Sequence, residues 1–161
     1  GAQAGLYYHY GIPKYTLNKK VFGIYPHTSL DVTHPLMRGL DDIFYVPQSR
    51  HTEIRMVDIA KVKDLQIISY SEMSGVHIVS DMDCRNFFVT GHSEYDRDTL
   101  AKEYFRDKEK GLDIDMPYNY FPNDDINLVP KVTWKSTANI LINNWLNYFV
   151  YQKTPYDLNT L

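Results

Sequence analysis

The chain opens on small residues, Gly1, Ala2, Ala4 and Gly5, followed by aromatics at Tyr7, Tyr8 and Tyr10, a pattern that predicts a helix over residues 1–10. Gly11 stops it and Pro13 bars its continuation. Apolar runs at residues 21–25 (VFGIY) and 43–46 (IFYV) predict strands, the second ended by Pro47. Residues 26–39, with two prolines and two histidines, read as an irregular connection. The polar run Gln48, Ser49, Arg50 and His51 reads as a loop able to face a ligand, and residues 55–62 as a short helix. LQIISY at 65–70 and VHIVS at 76–80 flank a Ser74-Gly75 turn and predict a hairpin. A turn over residues 81–85 leads to a last short strand, Phe87 to Val89, which ends at Gly91.

Residues 96–110 carry agreeing helical signals: Asp96 as cap, an apolar face of Leu100, Ala101, Tyr104 and Phe105, basic residues in the last turn, and Gly111 as stop. Residues 111–130, with three prolines, read as a long loop ordered by Tyr118, Tyr120 and Phe121. Residues 136–152 are apolar almost all round, which predicts a helix buried on several sides. Strands punctuated by helices give an α/β class with an antiparallel hairpin, and the sheet reads as incomplete.

The 161 residues suffice for one domain with a real core. A net charge of -3 gives no electrostatic footprint for nucleic acid or an anionic membrane, and neither partner is expected. No run approaches the roughly 18 consecutive apolar residues of a membrane span, so the expected location is the cytoplasm. A single cysteine, Cys84, excludes an intrachain disulfide. The histidine separations match no compact ligand motif, so no metal is expected, and no glycine-rich phosphate cradle is visible. Tyrosine, with 14 copies, is over-used; most copies fit packing under loops, and exposed ones suit an interface.

The candidate chemistry lies just past the last strand. His92 and Glu94 are two apart, so in extended backbone they share a side. The carboxylate can accept from one imidazole nitrogen and leave the other free as a base. The same pair also fits a solvated loop; its place between a buried strand and a helix favours function. Cys84 is the thiol in view, but Asp81 and Asp83 beside it disfavour a thiolate. A base and an orienting carboxylate are therefore present without an evident nucleophile.

GHSEYD at 91–96, EYFRD at 103–107, GLDIDMPYNYFP at 111–122 and NWLNYFVYQKTPYDL at 144–158 resemble the bacterial homoserine O-acyltransferases, acetyl- or succinyl-transferring enzymes of methionine synthesis. The resemblance covers essentially the whole chain. It implies a class I glutamine amidotransferase-like (flavodoxin-like) sheet with flanking helices, incomplete in this chain. It also implies that residues 1–161 are the C-terminal part of one acyltransferase domain, beginning just after a nucleophilic cysteine. The missing upstream part of the same protein then holds the nucleophile and the oxyanion-hole donors. By the resemblance His92 is the general base and Glu94 its orienting carboxylate, while Lys20, Ser49 and Arg106 bind substrate. Read from the helical pattern alone, Arg106 lies opposite the apolar face and is a solvated arginine. The implied substrates are homoserine and an acyl-coenzyme A, acetyl preferred and succinyl the alternative, with no cofactor and a homodimeric assembly. A glutaminase on the same fold, and an inert interaction fragment, are the rival readings.

Overall fold

The computed structural model describes residues 1–155, so the end of the last resembling block, residues 156–158, lies outside the described residues. Helix α1 (Ala2–Tyr10) ends where Gly11 turns left-handed at φ 68°, its N–H reaching the Tyr7 carbonyl at 2.9 Å. The small residues of α1 have a packing reason at Gly5, where an added Cβ would stand 3.0 Å from the Phe88 ring.

The first two strands outrun the apolar segments that predicted them. Strand β1 covers Tyr15–Ser29 and β2 covers Phe44–Glu53, paired antiparallel with Phe22 opposite Ser49 and Ile24 opposite Pro47. The polar run after Pro47 is thus strand, not loop, and Pro26 and His27 belong to β1 rather than to an irregular connection. The ladder supplies backbone partners whether or not a side chain is apolar, so polar flanks extend a strand once a neighbour is present. The register slips between Thr16 and Val21, a bulge that carries Lys20. Helix α2 is a single turn, Met56–Ile59, shorter than predicted. The hairpin is present as β3 (Leu65–Ser71) and β4 (Gly75–Asp81), and β5 (Phe87–Val89) pairs antiparallel with β4.

The strand order is β2-β1-β3-β4-β5. Strand β4, between β3 and β5, is buried over five of its seven residues, which explains its near-continuous apolar run. On one face Leu6, Ile12, Ile54, Ile59, Val79 and Phe88 seat α1. On the other, Phe44, Val46, Ile68 and Ile78 pack with Leu141 of α4 (Lys135–Asn144). A third cluster joins Phe22 and Ile24 of β1 to Leu100 and Tyr104 of α3 (Thr99–Glu109), Tyr120, Phe121 and the fully buried Trp134. Burying a side chain of this size contributes roughly 2–3 kcal/mol.

The long loop is ordered as expected. The Tyr118 backbone bonds Phe22 O at 3.0 Å and Ile24 N at 2.8 Å, crossing β1 at Gly23. Gly23 has φ 140°, and a Cβ there would overlap the Tyr118 backbone, so the crossing requires glycine. The last helix departs from expectation. After Asn144 it widens into a π-helical stretch, Trp145–Tyr151, and Ile142, Trp145 and Tyr151 are exposed. Of α4 only Thr137 and Leu141 are buried, so its apolar residues are not buried on several sides. No helix among the described residues is long and apolar enough to cross a membrane.

Candidate active site

Past β5 the chain remains tied to the sheet for one more residue, Thr90, whose N–H donates to His77 O at 2.9 Å. Gly91 then passes so close to β2 and β4 that a Cβ would overlap Val46 Cγ1 and come within 3.0 Å of His77 Nε2. The next amide, of His92, donates to Pro47 O at 2.9 Å. This pins the turn to β2. Gly91→Ala therefore forces Val46 or the turn to move, and the expected cost is about 2 kcal/mol of stability, the usual range for overpacking. Chemical denaturation of the purified variant measures it.

His92 Nδ1–H donates to Glu94 Oε1 at 2.8 Å. A carboxylate only accepts, so in the neutral ring the proton sits on Nδ1 and Nε2 keeps a free lone pair. The imidazole stacks on Tyr95, centroids 4.5 Å apart and planes 6° from parallel. Trp134 Nε1–H in turn donates to Tyr95 O at 3.0 Å, tying the turn to the core. Glu94 is 69% exposed, so its hold on His92 relies on this stack and on the fixed backbone more than on a low dielectric. Burial raises the Tyr95 phenol above its ordinary range.

The three residues assigned to substrate meet at two carboxylates of α3. Ser49 Oγ lies 2.9 Å from both Glu103 oxygens, Lys20 Nζ is 2.6 Å from Glu103 Oε1 and 3.7 Å from Asp107 Oδ2, and Arg106 Nε–H donates to Asp107 Oδ1 at 2.7 Å, with Nη2 in ion-pair contact at the same distance. Lys20 reaches them because the β1 bulge re-aims it. The Arg106 hydrogen bond holds the Asp107 carboxyl below its ordinary range. Arg106 is exposed, as the helical pattern implied, and is bonded to its neighbour Asp107. The predicted apolar face is also revised: Phe105 is 45% exposed and Asp107 takes a buried place with Leu100 and Tyr104. Lys20 stabilises a carboxylate there, which a wheel drawn on hydrophobicity does not register.

Glu103, Asp107, Tyr95 and Gly91 were not singled out by sequence reasoning. The spacing of Glu103 and Asp107, four apart on one helix face, was the available signal for the first two. Ser49 and His92 line one open cleft of about 1140 Å3, with Gly1 and Gln3 at its α1 end and Ile142 and Trp145 at its α4 end. Cys84 is elsewhere. It occupies the β4–β5 turn, with the whole of β5 between it and His92, and its Sγ sits 3.6 Å from His34 Nε2.

The family model described as homoserine O-succinyltransferase (HTS) matches residues 1–156. The chain belongs to this family. Among its curated relatives, the homoserine O-acetyltransferases of Clostridium beijerinckii, Petrotoga mobilis and Acetivibrio thermocellus are 62%, 56% and 57% identical, each over 100% of this chain. The chain spans about half the length of these relatives, 53%, 52% and 53% respectively. Among solved structures, a glutamine amidotransferase from Thermotoga maritima superposes with a TM-score of 0.63 at 16% identity, covering 94% of this chain and 60% of that one. A glutamine amido transferase from Methylobacillus flagellatus gives 0.50 at 13% identity, covering 88% and 54%. At such identity the likeness concerns the fold, and it agrees with the amidotransferase-like architecture expected of the family.

Proposed function

We propose that the protein containing this chain is a homoserine O-acyltransferase acting in methionine synthesis in the cytoplasm, with acetyl-coenzyme A as the preferred acyl donor. The observation that carries this reading is the convergence of Lys20, Ser49 and Arg106 on Glu103 and Asp107, beside a cleft that also holds the His92–Glu94 pair. The names of the relatives support the same reading.

In this reading residues 1–161 form the C-terminal part of one domain, and the nucleophile is a cysteine thiolate contributed by the preceding part of the protein. His92 Nε2 takes the thiol proton. The thiolate attacks the thioester carbonyl, the C–S bond to coenzyme A breaks, and the leaving thiolate takes the proton back from His92, which is again neutral. His92 Nε2 then removes the proton from the homoserine hydroxyl, whose oxygen attacks the acyl-cysteine and regenerates the thiolate. Glu94 stabilises the imidazolium in both steps. Arg106 offers its remaining N–H groups to the substrate carboxylate, and Glu103 offers an acceptor to its ammonium.

The test uses the whole protein, first with acetyl- or succinyl-coenzyme A alone and then with homoserine or glutamine. The expected result is a covalent acyl adduct in the intact mass that homoserine discharges as the O-acyl ester. Ammonia release from glutamine without an acyl adduct would instead establish a glutaminase. Neither activity would overturn the proposal and leave an interaction role.

A further inference from the structure

Arg50 has no part in the mechanism above, yet it lines the same cleft as His92. The two half-buried cations of this region are treated differently. Lys20 has carboxylates at 2.6 and 3.7 Å. Arg50 donates only to backbone carbonyls, from Nη1 to Thr52 O at 2.7 Å and from Nη2 to Ser74 O, and its Nε is buried with no partner among the described residues. Glu53, the carboxylate whose field reaches it, pairs at 3.1 Å with Arg55 instead. A guanidinium removed from water is ordinarily matched by an anion. Burial lowers the Arg50 pKa, as an uncompensated cation requires.

The strand decides which ligand this cation faces. Ser49 and Arg50 are successive residues of β2, so their side chains leave opposite faces. Ser49 turns to Glu103 and the cluster assigned to the acceptor, whereas Arg50 turns to the β3–β4 turn at Ser74 and to Thr52, whose carbonyl also receives Gln3 Nε2 at 3.1 Å. The acceptor cluster is already balanced, with two cations and two carboxylates.

We propose that Arg50 is a binding residue for an oxyanion of the acyl donor. Its chemistry fits either the free carboxylate of a dicarboxylic acyl group or a phosphate of coenzyme A. The inference rests on the acyltransferase reading. With the Nε–H buried and one N–H of each terminal nitrogen bound to a carbonyl, the second N–H of Nη1 and of Nη2 remain for the ligand.

The experiment measures KM for acetyl-coenzyme A, succinyl-coenzyme A and homoserine in the whole protein and in its Arg50→Gln and Arg50→Lys variants. Arg50→Gln is expected to raise the donor KM about tenfold to a hundredfold, the value of a charge-assisted hydrogen bond, with the homoserine KM unchanged. Arg50→Lys is expected to recover part of the loss, and it carries the test if the glutamine variant does not fold. A rise for both donors identifies a phosphate, and a rise for succinyl-coenzyme A alone identifies the acyl carboxylate. Unchanged donor KM values, or a rise confined to homoserine, would overturn the assignment. Should the wild-type protein transfer no acyl group, the acyltransferase reading is what has failed. The Arg50 site is then read by thermal unfolding with free coenzyme A and with succinate, one of which must stabilise the wild type and not Arg50→Gln.

Discussion

His92→Ala, made in the whole protein, is expected to lower kcat/KM for acyl transfer by about 10³- to 10⁴-fold, equivalent to roughly 4–5.5 kcal/mol of transition-state stabilisation. In the proposed mechanism the same nitrogen serves both half-reactions, so the loss is expected in formation of the acyl adduct as well as in its discharge to homoserine. Rapid-quench mass analysis separates the two steps. Glu94→Gln should give a smaller loss in both, because the amide oxygen still accepts from Nδ1–H at the position now 2.8 Å away while the charge that stabilises imidazolium is gone. Stability should change little in either variant, since His92 and Glu94 are 38% and 69% exposed. An alanine variant that kept full activity would remove His92 from the mechanism.

Acid is expected to destabilise the fold well before the carboxylates protonate. His27 is fully buried, its Nδ1–H bonded to Tyr25 O at 2.9 Å and its Nε2 within 3.2 Å of Gln48 and of Ser74. Burial pushes its pKa from 6.5 down to about 4, with the Arg50 charge acting in the same direction. His77, whose ring centroid is 4.6 Å away, is pushed well below its ordinary value, first by burial and then by His27. Both imidazoles are therefore neutral when folded and take up protons when unfolded. Between pH 6.5 and 4 the unfolded state binds more protons, so stability falls as pH falls through that window. The His27 shift alone corresponds to roughly 3 kcal/mol across it. Urea unfolding of the whole protein at a series of pH values measures the slope, and His27→Gln should flatten it. The Asp107 carboxyl, held below its ordinary range by Arg106, contributes stability that is lost only at lower pH, as the solution approaches its folded pKa. An unchanged slope in His27→Gln would sink the linkage.

The hairpin, α1, the end of α3 and the ordered long loop were legible because each rests on local chemistry: a Gly75 turn, a Gly11 cap, a run bounded by Gly111, and aromatics with no other place to go. The start of α3 was not, since it begins at Thr99 with Asp98 before it and Asp96 does not cap it. The extent of β1 and β2 was not. Gln48 sits at 0% exposure within a run that reads as polar loop, because its partner is a histidine from another strand. That pairing is tertiary and leaves no local trace. The same holds for the site. His92 and Glu94 were visible as a two-residue spacing, and Lys20, Ser49 and Arg106 through the family resemblance. The carboxylates that gather them required the β1 bulge and the placement of α3 to be known. The terminal helix failed for the opposite reason, since its apolar residues line an open cleft and hydrophobicity alone does not say what covers it.

The hydrogen bond from His92 N–H to Pro47 O has one more implication. In ladder order β2 and β5 are the two ends of the sheet, yet residues just beyond β5 touch β2 at Val46 and Pro47. The sheet therefore curls until its margins meet, and His92 sits on that seam. Parting the seam would carry His92 away from Ser49 without breaking a single strand pairing. The curl of the sheet is thus what brings His92, beyond one margin, and Ser49, on the other, to the same cleft.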